Sequence, residues 1–515
     1  MSNNRKQLGI GAILSYVSIA VNILAGLLYT PWMVKSIGQS QYGLYTLANS
    51  IISLFLVDFG LSSATARYLS KYRAEGDEEK ANNFLGVIYK LYFIIDTIIF
   101  VVLAVYFFLI DSIYVNLTAE ELVQFKIVYL IAASFAVFNF PFVTFNGILT
   151  ASEKFISLKL ADIIYRFLIV GLTVTALLLG FGLYALVLVH AIAGLAVIVF
   201  KFIVIKKNKL SKPNFKYSDR SLYKDIFGFS IWVTVYTVAQ RLIFNITPTI
   251  LGVVLDTRAI AVFGIVTTIE AYVFMVTGAI NGMFMPKIAR IYNQDEKNED
   301  LTKLLLKVGK FQFALNGLIV VGFAIIGKQF INLWMGAGYE EAYFGIMLVI
   351  IPGLFYNSLQ IAHTAAVVQK KVHLQAGVGV VVGIINVILC FIFSSLFGVV
   401  GACLSIFVAY MVRAIAISII YYKKMSIDIP TFVKRCYLRM TPPIILALIF
   451  GVGINILLNQ NGWLFFVIKG IIVSFVYLGL VVVLALSKDE AQSVKNKIKK
   501  IMGKLSKKAK KDLNG

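Results

Sequence analysis

The chain has 515 residues, a formal net charge of +23 and a mean hydropathy of +0.86, with 59% hydrophobic and 14% charged residues. A soluble domain is nearer half apolar and a quarter charged. This composition excludes a large soluble enzyme and a disordered protein, and a membrane accounts for the positive charge better than a nucleic acid does. The sequence therefore predicts an all-α integral membrane protein without a nucleic-acid partner.

Fourteen stretches of the chain are each long and apolar enough to cross a bilayer as a helix, which requires about 20 residues. The first, 8–34, is longer than the apolar core of a signal peptide, so we expect it to remain as a span. A tightly packed soluble helical protein would not hold so many. The other stretches are 42–66, 84–109, 127–149, 160–180, 183–205, 226–253, 260–284, 304–327, 343–366, 374–396, 400–422, 440–458 and 464–486.

The basic residues lie mostly on one side of these spans. With the N-terminus placed inside, 39 of the 48 Lys and Arg residues fall in inner segments and five in outer ones. Because Lys and Arg concentrate on the cytoplasmic side, both termini are predicted to be cytoplasmic. The other four basic residues lie inside spans and are Lys90, Arg166, Arg241 and Arg413.

The chain repeats itself at an offset near 216 residues. Phe181-Gly182 opens the sixth span, and Phe397-Gly398 opens the twelfth. Two six-span units start on the same side of the membrane, so they form two six-helix lobes related by a pseudo-twofold axis along the membrane normal, an arrangement found in alternating-access transporters. The predicted regions are an N-lobe (1–205), a cytoplasmic linker (206–225), a C-lobe (226–430), spans 13 and 14 (431–486) and a basic cytoplasmic tail (487–515).

Two prolines lie at matched mid-span positions, Pro141 in span 4 and Pro352 in span 10. Proline kinks a helix because it removes one backbone hydrogen bond. One interpretation is a hinge in each lobe. The other is a static kink for packing, since prolines are common in membrane helices.

Charges within a span are costly and usually face a cavity or a partner. We interpret the buried cations as the lining of a water-filled cavity for an anionic substrate, because a guanidinium donates paired hydrogen bonds to phosphate. The alternative is internal pairing, of Arg166 with Asp162 one turn away or of Arg241 with Glu270 on span 8. The predicted substrate-binding residues are Arg241, Arg413, Arg166, Lys90 and Arg67.

Three acidic residues in spans are candidates for ion coupling, namely Glu270, Asp58 and Asp96. Protonation that breaks an Arg241–Glu270 pair would be a coupling step. His190 and His363 also lie in spans, but a lone histidine is more often packed or hydrogen-bonded than a proton relay.

The sequence shows no enzyme or motor signature. The nearest approach to a phosphate loop, 322–329, has Gln329 where Ser or Thr must hold magnesium, and it ends an apolar span. Cys390, Cys403 and Cys436 have no metal-ligand spacing, so neither a metal site nor a cofactor is predicted. Short loops leave no room for a catalytic domain. We therefore expect a secondary transporter, with H⁺ or Na⁺ as the candidate coupling ion.

Local motifs near the N-terminus resemble a known family. The stretch Ser40-Gln41-Tyr42-Gly43-Leu44-Tyr45, then Asp58-Phe59-Gly60-Leu61 and Ala66-Arg67-Tyr68, resembles the start of Wzx-type polysaccharide and O-antigen flippases. These belong to the multidrug/oligosaccharidyl-lipid/polysaccharide exporter superfamily. The acidic loop 75–79, the stretch 286–290, the span count, the duplication and the extra C-terminal pair also fit.

The resemblance implies export of an oligosaccharide linked to undecaprenyl diphosphate across a bacterial cytoplasmic membrane, for O-antigen, capsule or exopolysaccharide. It also implies a polysaccharide polymerase and a chain-length regulator as partners. Family members often carry an acid just before the Arg of span 7, whereas this chain has Ala239-Gln240-Arg241. The alternatives are a lipid II flippase, a multidrug exporter of the same superfamily, or a non-transporting scaffold for the glycan assembly machinery.

The tail contains ten Lys residues, with apolar residues at helical spacing. This pattern predicts an amphipathic helix on anionic inner-leaflet lipid, and the alternative is a solvated tail that only enforces topology. The apolar positions are Val494, Ile498, Ile501 and Leu505.

Overall fold

A computed structural model of the protein describes residues 2–278, 284–293, 299–487, 490–492 and 496. Every regular element in these ranges is helical, and twelve helices are long and apolar enough to span a membrane. The prediction of an all-α, multi-pass membrane protein is confirmed.

The chain forms two compact units, and the first comprises Met1–Ala279, Phe344–Val349 and Gln369–Ile417. In this unit α2 packs against α5 and α11, α3 packs against α6, and α7 packs against α1 and α8. These helices are α1 (Ser2–Ile37), α2 (Gln39–Phe55), α3 (Leu61–Ala74), α4 (Glu78–Ile113), α5 (Ala119–Asn139), α6 (Thr144–Ala151), α7 (Phe155–Leu178), α8 (Leu183–Lys207), α9 (Arg220–Phe244), α10 (Thr247–Val254) and α11 (Thr257–Gly278).

Glycines and short polar side chains set the ends of these helices. Gly38 (φ 87°) precedes α2 and Gly60 (φ 68°) precedes α3, in the left-handed region that glycine adopts without strain. At the start of α4 the Asp77 carboxylate accepts a hydrogen bond from the Lys80 amide (2.8 Å). Such caps satisfy amides that the first helical turn leaves without intrahelical partners.

The second unit comprises Ile280–Tyr343, Ile350–Val368 and Ser418–Gly515, and its central helix is α13. Its neighbours are α15, α16, α19 and α20. The remaining helices of the chain, of which α14 and α17 run through both units, are α12 (Met285–Asn293), α13 (Glu299–Trp334), α14 (Glu340–Ile350), α15 (Gly353–Ser358), α16 (Gln360–Val368), α17 (Val372–Met425), α18 (Ile429–Phe432), α19 (Leu438–Leu457) and α20 (Trp463–Leu480).

The two predicted hinge prolines lie where helices are interrupted. Pro141 occupies a 3₁₀ turn, Phe140–Val143, between α5 and α6. Pro352 lies between α14 and α15, at the position that caps α15. Both prolines therefore accompany a local break in the α-helical hydrogen bonding, and hinge motion at them stays a prediction.

The predicted C-terminal tail begins with a contact to α13. Glu490 forms a 2.8 Å salt bridge with Lys310 and accepts a hydrogen bond from the Ser487 amide. Burial raises the pKa of Glu490, but the hydrogen bonds from Lys310 and Ser487 outweigh burial and hold this pKa below its usual value. The Glu490 carboxylate is therefore ionised at neutral pH. Nearly all of the amphipathic helix predicted for 487–515 lies outside the described residues.

Candidate functional site

Arg413, in the second half of α17, is completely buried within the first unit. Its guanidinium donates hydrogen bonds to Oε1 of Gln240 and to Oη of Tyr236, the latter at 3.1 Å. The charge also lies over two rings, 5.4 Å from the centroid of Tyr236 and 5.7 Å from that of Tyr410. Cation–π contacts and hydrogen bonds replace the lost hydration of a buried cation. This geometry joins α17 to α9.

Arg241 follows Gln240 on α9 and has a different environment. Its side chain is only half-buried, and among the described residues no carboxylate forms a salt bridge with it. The alternative that Glu270 pairs with Arg241 is therefore not observed. Arg241 remains a cation available to an anionic ligand.

Arg166, on α7, is also half-buried and is not paired with Asp162 as the alternative expected. Asp162 forms a 3.2 Å salt bridge with Lys159, three residues earlier on the same helix. Arg166 Nη2 donates to the backbone oxygen of Asn22 on α1 (3.1 Å). Its Nε is buried, and no described residue accepts a hydrogen bond from it.

Polar aromatic side chains surround Arg166 in the first unit. Tyr272 of α11 reaches α1 so closely that a Cβ on Gly26 would lie 1.7 Å from its hydroxyl oxygen. His190 on α8 forms hydrogen bonds with two tyrosine hydroxyls, that of Tyr45 at 2.6 Å from Nε2 and that of Tyr165 at 3.2 Å from Nδ1. These side chains are only partly buried. Hydroxyl-bearing rings of this kind are suited to bind sugars and phosphates.

The tyrosines of this cluster were not among the predicted site residues. A usable signal was present, since Tyr45, Tyr165 and Tyr272 each lie inside a predicted span. A polar group at such a depth needs a partner or water. The partner of Tyr45 and Tyr165 is His190, which the sequence alone left as a packed or hydrogen-bonded histidine.

The predicted cations do not form a single group. The described contacts of Arg166 are with α1 and α11, and those of Arg413 are with α9 and with Tyr410 of its own helix. Arg67 of α3 is exposed, with its guanidinium 5.9 Å from the ring centroid of Tyr68. The substrate-binding role stays a prediction for every one of them.

Lys90, on α4, contacts the linker that follows α8. Its Nζ donates to the backbone oxygen of Tyr217 (2.9 Å). The Asn214 amide donates to the oxygen of Asn82 (3.0 Å), and a Cβ on Gly86 would lie 2.0 Å from the oxygen of Asn214. The linker is therefore held against the start of α4, and Lys90 is one of the residues that hold it.

Replacing Lys90 with Met should release the linker. We expect trypsin to cut the linker several-fold faster in inverted membrane vesicles, because the lost hydrogen bond exposes its backbone. Lys80→Met is the matched control, since Lys80 is exposed on the same helix. If Lys90 binds substrate instead, the variant will lose transport while the cleavage rate stays that of the unaltered protein.

The three predicted coupling acids have unlike surroundings. Asp58, in the break between α2 and α3, accepts hydrogen bonds from Tyr92 Oη (2.6 Å) and from the Ser62 amide (3.2 Å). It therefore caps α3 in the manner of an N-terminal aspartate. Asp96, within α4, has a buried Oδ1 that accepts no hydrogen bond from any described residue. Coupling by these acids and by Glu270 stays a prediction.

The sequence matches the model of a known protein family. Residues 8–292, more than half of the chain, match the model of the family described as "Polysaccharide biosynthesis protein". The chain belongs to this family. Its twelve long apolar helices make it a multi-pass membrane protein of this family.

Two curated relatives and two solved structures illustrate the likeness. The chain is 22% identical over 504 residues to "Uncharacterized membrane protein EpsK" of Bacillus subtilis (strain 168), with 92% of this chain and 94% of that protein covered. It is 21% identical over 350 residues to "Putative O-antigen transporter" of Shigella flexneri, covering 65% and 78%.

The solved structures share the fold of the chain. "Lipid II flippase MurJ, inward closed conformation" superposes with a TM-score of 0.70 at 15% identity, covering 92% of this chain and 97% of that one. An inward-facing multidrug resistance MATE family transporter of the MOP superfamily has a TM-score of 0.63 at 15% identity, covering 82% and 99%. At such identities the likeness concerns the fold.

Proposed function

We propose that this protein flips oligosaccharide repeat units linked to undecaprenyl diphosphate from the inner to the outer leaflet of the bacterial cytoplasmic membrane. The exported unit would serve O-antigen, capsule or exopolysaccharide synthesis. The family match and the likeness to a putative O-antigen transporter support this class of substrate.

The observation that carries the proposal is a pair of half-buried arginines without carboxylate partners among the described residues. Arg241 forms no salt bridge there, and the buried Nε of Arg166 has no acceptor. A buried cation without a counter-charge is costly unless a ligand supplies the negative charge. The diphosphate supplies it, and a guanidinium binds its oxygens in a bidentate manner.

We infer that the tyrosine and histidine side chains on the helices near Arg166 bind the sugar. Aromatic faces and hydroxyls can stack on a sugar ring and exchange hydrogen bonds with its hydroxyls. The lipid tail needs no protein pocket, because it stays in the bilayer while the polar headgroup crosses. Arg413 is fully buried, and it supports this site by holding Gln240, the neighbour of Arg241.

We further propose fourteen spans with both termini in the cytoplasm. The helical segment Val372–Met425 is interrupted at Gly398, whose φ of 60° is not helical. This interruption lies between the eleventh and twelfth predicted spans. The second predicted span corresponds to α2 and α3, which are separated by residues 56–60 and are each shorter than a typical span. The charge distribution supports the orientation.

An inside-negative membrane potential favours outward movement of the anionic headgroup by about 2.3 kcal/mol per charge per 100 mV. We propose that this potential or an ion gradient drives the reaction. Measuring flipping in liposomes with and without proton and sodium gradients decides whether Glu270, Asp58 or Asp96 adds ion coupling.

Lipid II flipping is the nearest alternative, since its substrate also carries a diphosphate and MurJ shares the fold. A multidrug exporter is less consistent with the site, because cationic drugs would require an acidic cavity rather than Arg166 and Arg241.

Deleting the gene tests the proposed function. We expect a lipid-linked oligosaccharide to accumulate in the inner leaflet while surface glycan disappears, and a copy of the gene should restore it. Accumulation of lipid II with growth arrest would identify the alternative substrate. Unchanged surface glycan would contradict the proposal.

A further inference from the structure

A carboxylate in the first turn of α5 joins the first turns of two other helices. Glu121 Oε1 accepts hydrogen bonds from Ser40 Oγ of α2 (2.7 Å) and from Thr257 Oγ1 of α11 (2.7 Å). The two hydroxyl oxygens are themselves 3.1 Å apart. We call Ser40, Glu121 and Thr257 the latch.

The two oxygens of Glu121 have separate roles. Oε2 accepts from the amide and the hydroxyl of Thr118 (3.0 and 3.1 Å), which completes the capping box of α5. Oε1 is then directed to the neighbouring helices. A carboxylate is favoured here because the helix dipoles place partial positive charge at the three converging N-termini.

Helices α2 and α11 pack without a gap below the latch. A Cβ on Gly43 would lie 2.1 Å from the backbone oxygen of Thr257, and a Cβ on Gly264 would lie 2.8 Å from Oγ1 of Thr46. Thr257 itself is only 4% exposed. These two glycines permit a close approach that any larger residue would prevent.

The latch joins helices of the two predicted lobes at the predicted outer side of the membrane. In the proposed topology Ser40, Glu121 and Thr257 all lie at the outer ends of their spans, and α2 and α5 belong to the predicted N-lobe while α11 belongs to the predicted C-lobe. Alternating access requires the outer ends of the two lobes to separate once in each cycle. Hydrogen bonds that join them must break in that step.

We propose that the latch holds the outer side of the transporter closed and opens in each transport cycle. This inference rests on the proposed two-lobe flippase. The latch consists of two hydroxyl-to-carboxylate hydrogen bonds, so only these few interactions must break when the outer ends separate.

A disulfide across the latch tests the proposal directly. In Ser40→Cys/Thr257→Cys the two sulfur atoms would replace oxygens 3.1 Å apart. The native Cys390, Cys403 and Cys436 are buried and will not interfere. We expect oxidation to reduce surface glycan export about tenfold or more, reduction to restore it, and each single variant to be insensitive to oxidant.

A second measurement does not depend on the substrate or on the disulfide. A cysteine at Thr46, below the latch, should react with a membrane-impermeant maleimide about three- to tenfold faster when Glu121→Gln is added, because the weakened latch opens more often. Glu120→Gln is the matched control, since Glu120 is exposed on the same turn and contacts only Gln124 among the hydrogen bonds observed.

The outcomes separate the two proposals. A disulfide-linked protein that exports glycan at the normal rate, or unchanged maleimide labelling with Glu121→Gln, would overturn the latch and leave the flippase assignment intact. If the reduced double variant and the unaltered protein both fail to restore glycan to a deletion strain, the proposed function is wrong, and the labelling result still reports on the latch.

Discussion

Replacing Arg241 with Ala should abolish glycan export while the protein still inserts in the membrane at its normal level. Arg241 is half-buried within a span and has no salt bridge with any described residue, so its removal leaves no unpaired partner behind. The loss of charge-assisted hydrogen bonds to a diphosphate costs about 1.5–3 kcal/mol each. We therefore expect export to fall about tenfold to a hundredfold or more.

The measurement is surface glycan in a deletion strain that carries each variant, with the amount of membrane-inserted protein determined in parallel. Arg241→Lys should give intermediate export, because lysine retains the charge but not the planar fork. Arg220→Ala is the control, since Arg220 is exposed at the start of the same helix. Normal surface glycan in the strain that carries Arg241→Ala would show that Arg241 does not bind the substrate.

Replacing Arg413 with Ala should have a different effect, namely loss of the folded protein. The side chain is fully buried, bonded to Gln240 and Tyr236, and enclosed by the rings of Tyr236 and Tyr410. Its removal leaves a cavity and takes the donor from two half-buried polar groups, those of Gln240 and Tyr236. We expect a destabilisation of about 2–5 kcal/mol, which is large enough to lower the amount of protein in the membrane.

Thermal unfolding of the detergent-purified protein, measured without substrate, distinguishes the roles of the two arginines. Arg413→Ala should unfold at a clearly lower temperature, and Arg241→Ala close to the unaltered protein. Lys423→Ala provides the control for α17, since Lys423 is exposed near its end. An Arg413→Ala protein with normal stability and no export would instead indicate that Arg413 binds substrate, as the sequence predicted.

Two of the candidate basic residues donate hydrogen bonds to backbone carbonyls that are distant in sequence. Lys90 donates to the carbonyl of Tyr217, 127 positions away, and Arg166 donates to the carbonyl of Asn22, 144 positions away. Backbone acceptors are identical in every residue, so no sequence pattern marks them. Asp162 pairs with Lys159, three residues before it, rather than with Arg166, four residues after it.

The latch is a further example, because none of its three residues is unusual in the sequence. Ser, Glu and Thr at the ends of spans are common as helix caps, and Glu121 does cap α5 through Thr118. Only the packing of α2 against α11, permitted by Gly43 and Gly264, brings Ser40 and Thr257 to the second oxygen of the carboxylate.

The sequence by itself determined that this protein is a helical membrane protein of the polysaccharide biosynthesis family. Transfer of apolar segments into lipid depends on local composition, and the resemblance rests on short contiguous motifs, so both can be read along the chain. Tertiary structure alone decided that Arg413 is enclosed while Arg241 lacks a counter-charge among the described residues. The physical reason is that burial and pairing arise between helices distant in sequence, where a guanidinium binds whichever acceptor the packing brings within reach.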